Sequence, residues 1–286
     1  MPSSIDSPLI PGDRSSLRAD CSNCFALCCT AFGFQRSTEF PIDKPVGTPC
    51  RNLAENFSCT IHESLRARGF RGCTVFDCFG AGQQVSQVLF GGRSWRDRPE
   101  TQSLMFQTFG VARQLHEMLW FLAEAATRAS SPDTEDDIVR LQQNLAFVLG
   151  EDPSALLGLS VDTIRSEVRD VLIAVSEETR GSYLAGAVDS SRHDLGPAAD
   201  LTGRDLRSRT LRGADLRGAY LIGADLRGAD LTAVDLLGAD MRDARLHSAA
   251  LSEALFVTQM QINASQGDEA TVLPDALERP QHWLND

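Results

Sequence analysis

No stretch of this 286-residue chain approaches the roughly 20 consecutive apolar residues that a membrane-spanning helix needs. Met1 to Asp20 is rich in Ser, Pro, Asp and Arg and has no apolar core of the kind a secretory signal carries. Both absences make the cytoplasm the expected compartment, with no membrane association. Thiols stay reduced there. The Asn56-Phe57-Ser58 and Asn263-Ala264-Ser265 sequons then carry no glycosylation meaning. No segment has a basic excess. Residues 1–90 hold 8 acids and 8 bases, 91–197 hold 17 and 10, 198–257 hold 9 and 8, and 258–286 hold 5 and 1. Direct nucleic-acid binding through phosphates is therefore not expected. The net charge of −12 resides in the middle and the tail, where it serves solubility. No Ser/His/Asp or paired-carboxylate arrangement is distinctive enough to mark a catalytic centre. Gly80-Ala81-Gly82 lacks the strand-then-helix context of a dinucleotide fingerprint.

Cysteine is missing from 228 of the residues; all eight lie in the 58 positions from Cys21 to Cys78. They read Cys21-x2-Cys24-x3-Cys28-Cys29, then Cys50, Cys59, Cys73 and Cys78, with His62 three residues after Cys59. Three readings compete. The first is ligation of zinc or an iron–sulfur cluster, which needs soft ligands at close spacing. Cys21, Cys24 and Cys28 can wrap a short loop around one site. Adjacent side chains diverge, so Cys28 and Cys29 can serve two sites, or one of them can be spare. Cys50, Cys59, Cys73 and Cys78 supply a second set, and His62 can stand in for a thiolate. The spacing does not fix the division. The second reading is a disulfide framework, for which eight cysteines allow 105 pairings. The third is buried structural thiols or a thiol redox relay. Phe25, Leu27, Phe32, Phe34 and Phe40 form the expected apolar shell. Thr60 to Gly69 reads as a short helix placing Cys59 and His62 on one face.

The opening pattern Cys21-x2-Cys24-x3-Cys28-Cys29 resembles the CxxCxxxCC proteins described as zinc- or iron-chelating. The resemblance covers about 60 residues. It implies metal or Fe–S binding by Cys21, Cys24, Cys28 and Cys29, and no established reaction.

Helical periodicity follows. Leu104 to Arg128 carries Val111, Leu115, Met118, Leu119, Leu122 and Ala126 on one face. Ser130-Ser131-Pro132 ends it. A second helix starts at Asp133 or Thr134, with acids in its first turn, and stops at Gly150 before Asp152-Pro153. A third follows Ser160, buries Ile164, Val168, Val171, Leu172 and Val175, and closes near Gly181. Three stripes imply a small antiparallel bundle. His116 and Trp120 are expected to pack.

From Ala199 to Val257 a large apolar residue recurs every five positions, from Leu201 to Phe256. A small residue usually stands two before it, and glycine favours the position two after. A period of five drifts around a helix and alternates faces on a strand, so the chain is expected to turn a corner at each unit. Ala214-Asp215-Leu216-Arg217-Gly218 and Ala224-Asp225-Leu226-Arg227-Gly228 resemble pentapeptide repeats. That resemblance implies a right-handed, four-sided β-helix, a solenoid with capped ends.

The expected fold class is therefore mixed. A Cys-rich metal-binding region and a small α-helical bundle precede a short right-handed quadrilateral β-helix. The expected divisions are a disordered 1–19, the Cys-rich region 20–98, the bundle 99–196, the repeat 197–258 and a cap 259–286. The expected function is metal or Fe–S binding coupled to a protein partner on the repeat surface. The oligomeric state is open. One alternative is protection of DNA gyrase or topoisomerase, which some pentapeptide-repeat proteins perform. A short, near-neutral repeat argues against it. The other is an Fe–S redox or modification enzyme.

Overall fold

The computed structural model describes residues 13–184 and 194–284. Most of the expected disordered segment 1–19 lies outside them. Of the remainder, Arg14 donates to the Trp120 carbonyl at 3.1 Å and pairs with Glu124 at 2.9 Å, and Leu17 is buried. The chain divides into two compact units. One comprises Met1–Cys73 and Asp77–Ile173, the other Thr74–Phe76 and Ala174–Asp286. No helix among the described residues is long and apolar enough to cross a membrane.

The first unit begins with short elements: α1 (Leu27–Ala31), α2 (Arg71–Thr74) and α3 (Ala81–Gln83), the last continuing as a π-turn over Gln84–Leu89. Between α1 and α2 the backbone is mostly turns, pinned by isolated bridges Phe34–Lys44 and Leu53–Cys59. Phe34 stacks on Phe40 at 4.0 Å and Phe32 meets Phe109 at 5.3 Å, which closes the apolar shell. The expected helix over Thr60 to Gly69 is a 3₁₀ turn, His62–Ser64, followed by turns to Gly69.

The central helix is α4 (Gln102–Ala125), and its stripe is wide. Met105, Phe109, Leu115, Leu119 and Leu122 are joined in the interior by Met118, Trp120 and Ala123. A helix buried over most of its circumference is packed from several sides. α5 (Pro132–Leu149) starts on Pro132 rather than after it. Proline suits the first helical position because its missing N–H has no intrahelical acceptor there. Asp133 and Glu135 occupy the first turn. Asp152-Pro153, expected only to break the chain, starts α6 (Pro153–Leu157). The Asp152 carboxylate accepts the Ser154 N–H at 2.8 Å, and Leu156 is buried. α7 (Val161–Leu184) runs past Gly181.

The second unit corrects the expected fold class. No β-strand and no sheet forms among the described residues, so the right-handed quadrilateral β-helix is not the fold of this region. Each five-residue unit closes a tight turn, as in Ala214 N–H to Leu211 O at 2.8 Å and Ala219 N–H to Leu216 O at 3.0 Å. One residue per unit forms a bridge, so the contacts are isolated parallel bridges between residues 20 apart, such as Asp215–Asp235 and Asp225–Arg245. A strand needs consecutive paired residues, and a turn at every unit leaves none. Leu206, Leu216, Leu221, Leu226, Leu231 and Leu236 are fully buried, with Ala219, Ala224 and Ala229 also buried; the bridges between residues 20 apart stack them in columns such as Leu206 under Leu226 and Leu216 under Leu236.

The turns explain the other columns. The residue two after most of the leucines takes positive φ, as at Gly218 (63°) and Gly228 (67°), a region that costs a side chain about 1–2 kcal/mol. Ala233, Asp243 and Ser248 adopt the same conformation and bear that cost. A Cβ at Gly218 would touch nothing within 4 Å. Gly218→Ala is therefore expected to destabilise this unit by about 1–2 kcal/mol through backbone strain alone, measurable as lost amide hydrogen-exchange protection within the unit. The aspartates cap the turns: Asp225 accepts the Arg227 N–H at 3.3 Å, and the Arg227 guanidinium forks onto the same carboxylate at 2.8 and 2.7 Å. Asp240 and Arg242 repeat the arrangement. α8 (Gln259–Ala264) follows, opened by a Thr258–Gln261 capping box. Bridges Arg245–Gln266 and Ala250–Val272, with buried Ile262, Leu277 and Trp283, cover the end of the columns.

Candidate functional site

The eight cysteines are free thiols in the first unit. The local fold places each one. Cys21 opens a 3₁₀ turn capped by Asp20, whose carboxylate accepts the Ser22 N–H at 3.0 Å. Cys28 and Cys29 lie in α1, which follows left-handed Ala26. Cys50 is tied back to α1 by its N–H on the Cys29 carbonyl at 3.0 Å. Cys59 faces Leu53 across an antiparallel bridge, and the Leu53 N–H donates to the Cys50 carbonyl at 3.0 Å. Cys73 is in α2, and Cys78 precedes the turn into α3.

Cys21, Cys24, Cys28 and Cys78 line one cavity with Asp20, Gly82, Gln83 and Phe109. Its volume is about 20 Å³, room for one water-sized sphere. Gly82 keeps it open. A Cβ there would stand 2.8 Å from the Cys24 sulfur and 3.7 Å from the Cys78 sulfur. Cys28 donates to the Cys29 sulfur at 3.9 Å. That bond, followed by burial, pushes the Cys28 thiol well up. The Cys29 thiol moves down, by the same bond first, and Lys44 also favours its thiolate. Burial is the first cause of the upward shifts of Cys21, Cys24, Cys59 and Cys78. Cys73 is pushed up to about 12, by desolvation first and then by Cys29, Cys50 and Cys59. Thiols held up in this way ionise only with a compensating positive charge.

Lys44 is a buried cation near the thiols that spacing arguments do not single out. Its signal in the sequence is a count: it is the only lysine among 27 basic residues. The bridge to Phe34 places it, with Phe34 N–H on Lys44 O at 2.9 Å and Lys44 N–H on Phe34 O at 2.8 Å. The residue is 5% exposed. Its ammonium donates to the carbonyls of Thr30 and Phe32, with Pro45 O at 3.4 Å. Burial lowers its pKa, and Cys50, Cys29, Cys28 and Cys73 oppose that shift.

Not every candidate converges. His62 is exposed on its 3₁₀ turn and does not line the cavity. His116 is buried in α4, with Nδ1 2.7 Å from the Phe79 carbonyl. No group of three or more His, Cys, Asp or Glu among the described residues stands ready-arranged around a metal position. The donor chemistry nonetheless fits a thiophilic metal: four free thiols around one cavity that a single Cβ would fill.

The second unit defines a class. A family model for pentapeptide repeats, in eight copies, matches residues 199–236, 210–247 and 221–256. The carboxy-terminal part is thus a pentapeptide-repeat scaffold. Over nearly its whole length the chain is similar to "Uncharacterized protein YybG" of Bacillus subtilis (strain 168). They are 49% identical over 272 residues, which cover 93% of this chain and 95% of that protein. The chain belongs to the family of that protein. The matched family model does not reach the cysteines, so the comparisons do not show the CxxCxxxCC family.

Proposed function

We propose that this protein binds zinc or an Fe–S cluster through its cysteines and uses the pentapeptide repeat as a surface for a protein partner, in the cytoplasm. The observation that carries the reading is that Cys21, Cys24, Cys28 and Cys78 line one cavity. Bound to a metal they are deprotonated and protected, and the positive ion offsets the desolvation that raises most of their pKa values. The repeat supports the partner role by what it exposes. Its aspartates are neutralised by forked arginines such as Arg207, Arg227 and Arg242. The result is a fixed pattern of paired charges rather than the acidic surface that mimicry of duplex DNA would need. Elemental analysis and an ultraviolet–visible spectrum of the full chain, purified without oxygen, test the metal half. Iron with sulfide and absorbance near about 400 nm identifies a cluster; stoichiometric zinc without colour identifies a zinc site. Protein free of both refutes the reading.

A further inference from the structure

We infer that α4 positions Cys78 as a metal ligand, and that His116 and Arg113 are the positioning residues, because they hold the two backbone carbonyls on either side of it. This inference rests on the metal-binding reading and deepens it. It accounts for how a thiol so distant in sequence comes to line the cavity of Cys21, Cys24 and Cys28.

Cys78 precedes a turn that its neighbour does not favour. Phe79 has φ 50° and Gly80 has φ 80°, two left-handed residues in succession. That region is open to glycine, but a bulky residue such as Phe79 is an outlier there. Such a conformation persists only where its surroundings over-determine it, and here they do. The Asp77 carboxylate accepts the Phe79 N–H at 2.8 Å, and the Cys78 carbonyl accepts the Ala81 N–H at 2.9 Å. Arg113 Nε–H donates to the Asp77 carbonyl at 2.9 Å, and His116 Nδ1–H donates to the Phe79 carbonyl at 2.7 Å. The Phe79 ring is fully buried, 5.8 Å from the Trp120 ring between centroids, with the Arg113 guanidinium 5.8 Å from its own centroid.

The contacts from outside the turn come from one face of α4. Phe109, Arg113, His116 and Trp120 are spaced i, i+4, i+7 and i+11, which places them within about 60° around the helix. Phe109 is itself a wall of the cavity. The helix that closes the cavity therefore also grips the peptides before and after Cys78, and so fixes the direction from which this thiol enters. His116 makes one polar contact, and it is to this turn; its Nε2 is buried without a hydrogen-bond partner. An unpaired buried polar atom costs free energy, so packing alone does not account for a histidine here. Groups that orient metal ligands from outside typically change metal affinity 10–100-fold when removed.

The test uses the full chain, purified without oxygen and saturated with Zn²⁺. Alkylation of each cysteine is followed by mass spectrometry, and zinc affinity is read by competition with a chelator. In the wild type the metal should protect Cys78 together with Cys21, Cys24 and Cys28. His116→Leu, which fills the core without the donor, should leave Cys78 reactive while Cys21, Cys24 and Cys28 stay protected. It should also weaken zinc binding about 10–100-fold. His116→Asn, whose side-chain N–H can stand where Nδ1–H stood, should restore the protection of Cys78. Arg113→Met, at a half-buried position, should expose Cys78 in the same selective way. His116→Leu protein with Cys78 still protected and zinc affinity unchanged overturns the inference. So does loss of protection at all four thiols with Asn no better than Leu, the result expected of a merely structural core residue. Wild-type protein that binds zinc but leaves Cys78 reactive overturns it without any substitution and leaves metal binding standing. Protein that takes up no zinc refutes the metal reading itself.

Discussion

Leu226→Ala is expected to destabilise the repeat unit by about 2–5 kcal/mol, far more than truncation of its neighbour Arg227. Leu226 is fully buried. Its N–H donates to the Arg245 carbonyl at 2.9 Å, and its own carbonyl accepts the Ala229 N–H at 3.0 Å. The residues 20 before and after it are anchored in the same way. Leu206 N–H reaches Asp225 O at 2.9 Å, and Leu246 N–H reaches Gln266 O at 2.7 Å. A column fixed by its backbone cannot collapse into the space a missing side chain leaves, so the cavity cost is retained. Arg227 is solvent-exposed, and exposed ion pairs contribute little. A chain of two units has no single unfolding free energy. The suitable measurement is amide hydrogen exchange over residues 199–257, which reads this unit alone. Similar losses of protection for Leu226→Ala and Arg227→Ala would contradict the buried column.

Acid is expected to weaken the first unit through His116. Burial lowers its pKa from the ordinary 6.5 to about 4. Nδ1–H donates to the Phe79 carbonyl, and Nε2 is buried with no hydrogen-bond partner. A proton on Nε2 would be a buried charge without an acceptor. Between pH 6.5 and about 4 the unfolded chain carries that proton and the folded chain does not. Stability is thus complete above pH 6.5 and falls as the pH drops towards 4, by up to about 3 kcal/mol. His116→Gln removes the titration, so the variant's stability should depend less on pH over this window. Equal pH slopes for the two proteins would contradict it. Asp235 in the second unit works the other way. Burial raises it from 3.8 to about 6. Its folded form binds the proton more readily, so its contribution falls as pH rises from about 4 to 6 and is recovered on acidification. The two units should therefore respond to mild acid in opposite directions at these residues.

Much of this architecture is legible in the sequence because it follows from periodicity. The five-residue recurrence marks the buried leucine columns, and the 3.6-residue stripe of Leu115, Leu119 and Leu122 marks the central helix. What periodicity cannot give is pairing. The leucine spacing is the same whether the sides between turns are strands or single bridging residues, and here the turns consume the unit and no strand forms. Asp152-Pro153 reads equally as a helix stop and a helix start; the cap to Ser154 decides it. The cysteine spacing announces a soft-ligand region but not its grouping. Cys78 joins Cys21 and Cys24 only because α3 returns to them, with Gly82 at the closest point. Lys44 was visible as the sole lysine, but only the Phe34 bridge shows where it goes. His62 had suitable spacing and stays at the surface.

X-ray absorption at the edge of the bound metal, on full-length protein purified without oxygen, tests the central claim most directly. Thiolate ligation predicts a first shell of sulfur neighbours at about 2.3 Å, about four to each metal atom if zinc is bound. A shell dominated by nitrogen and oxygen at about 2.0–2.1 Å would contradict it. It would place the metal on groups other than the eight cysteines.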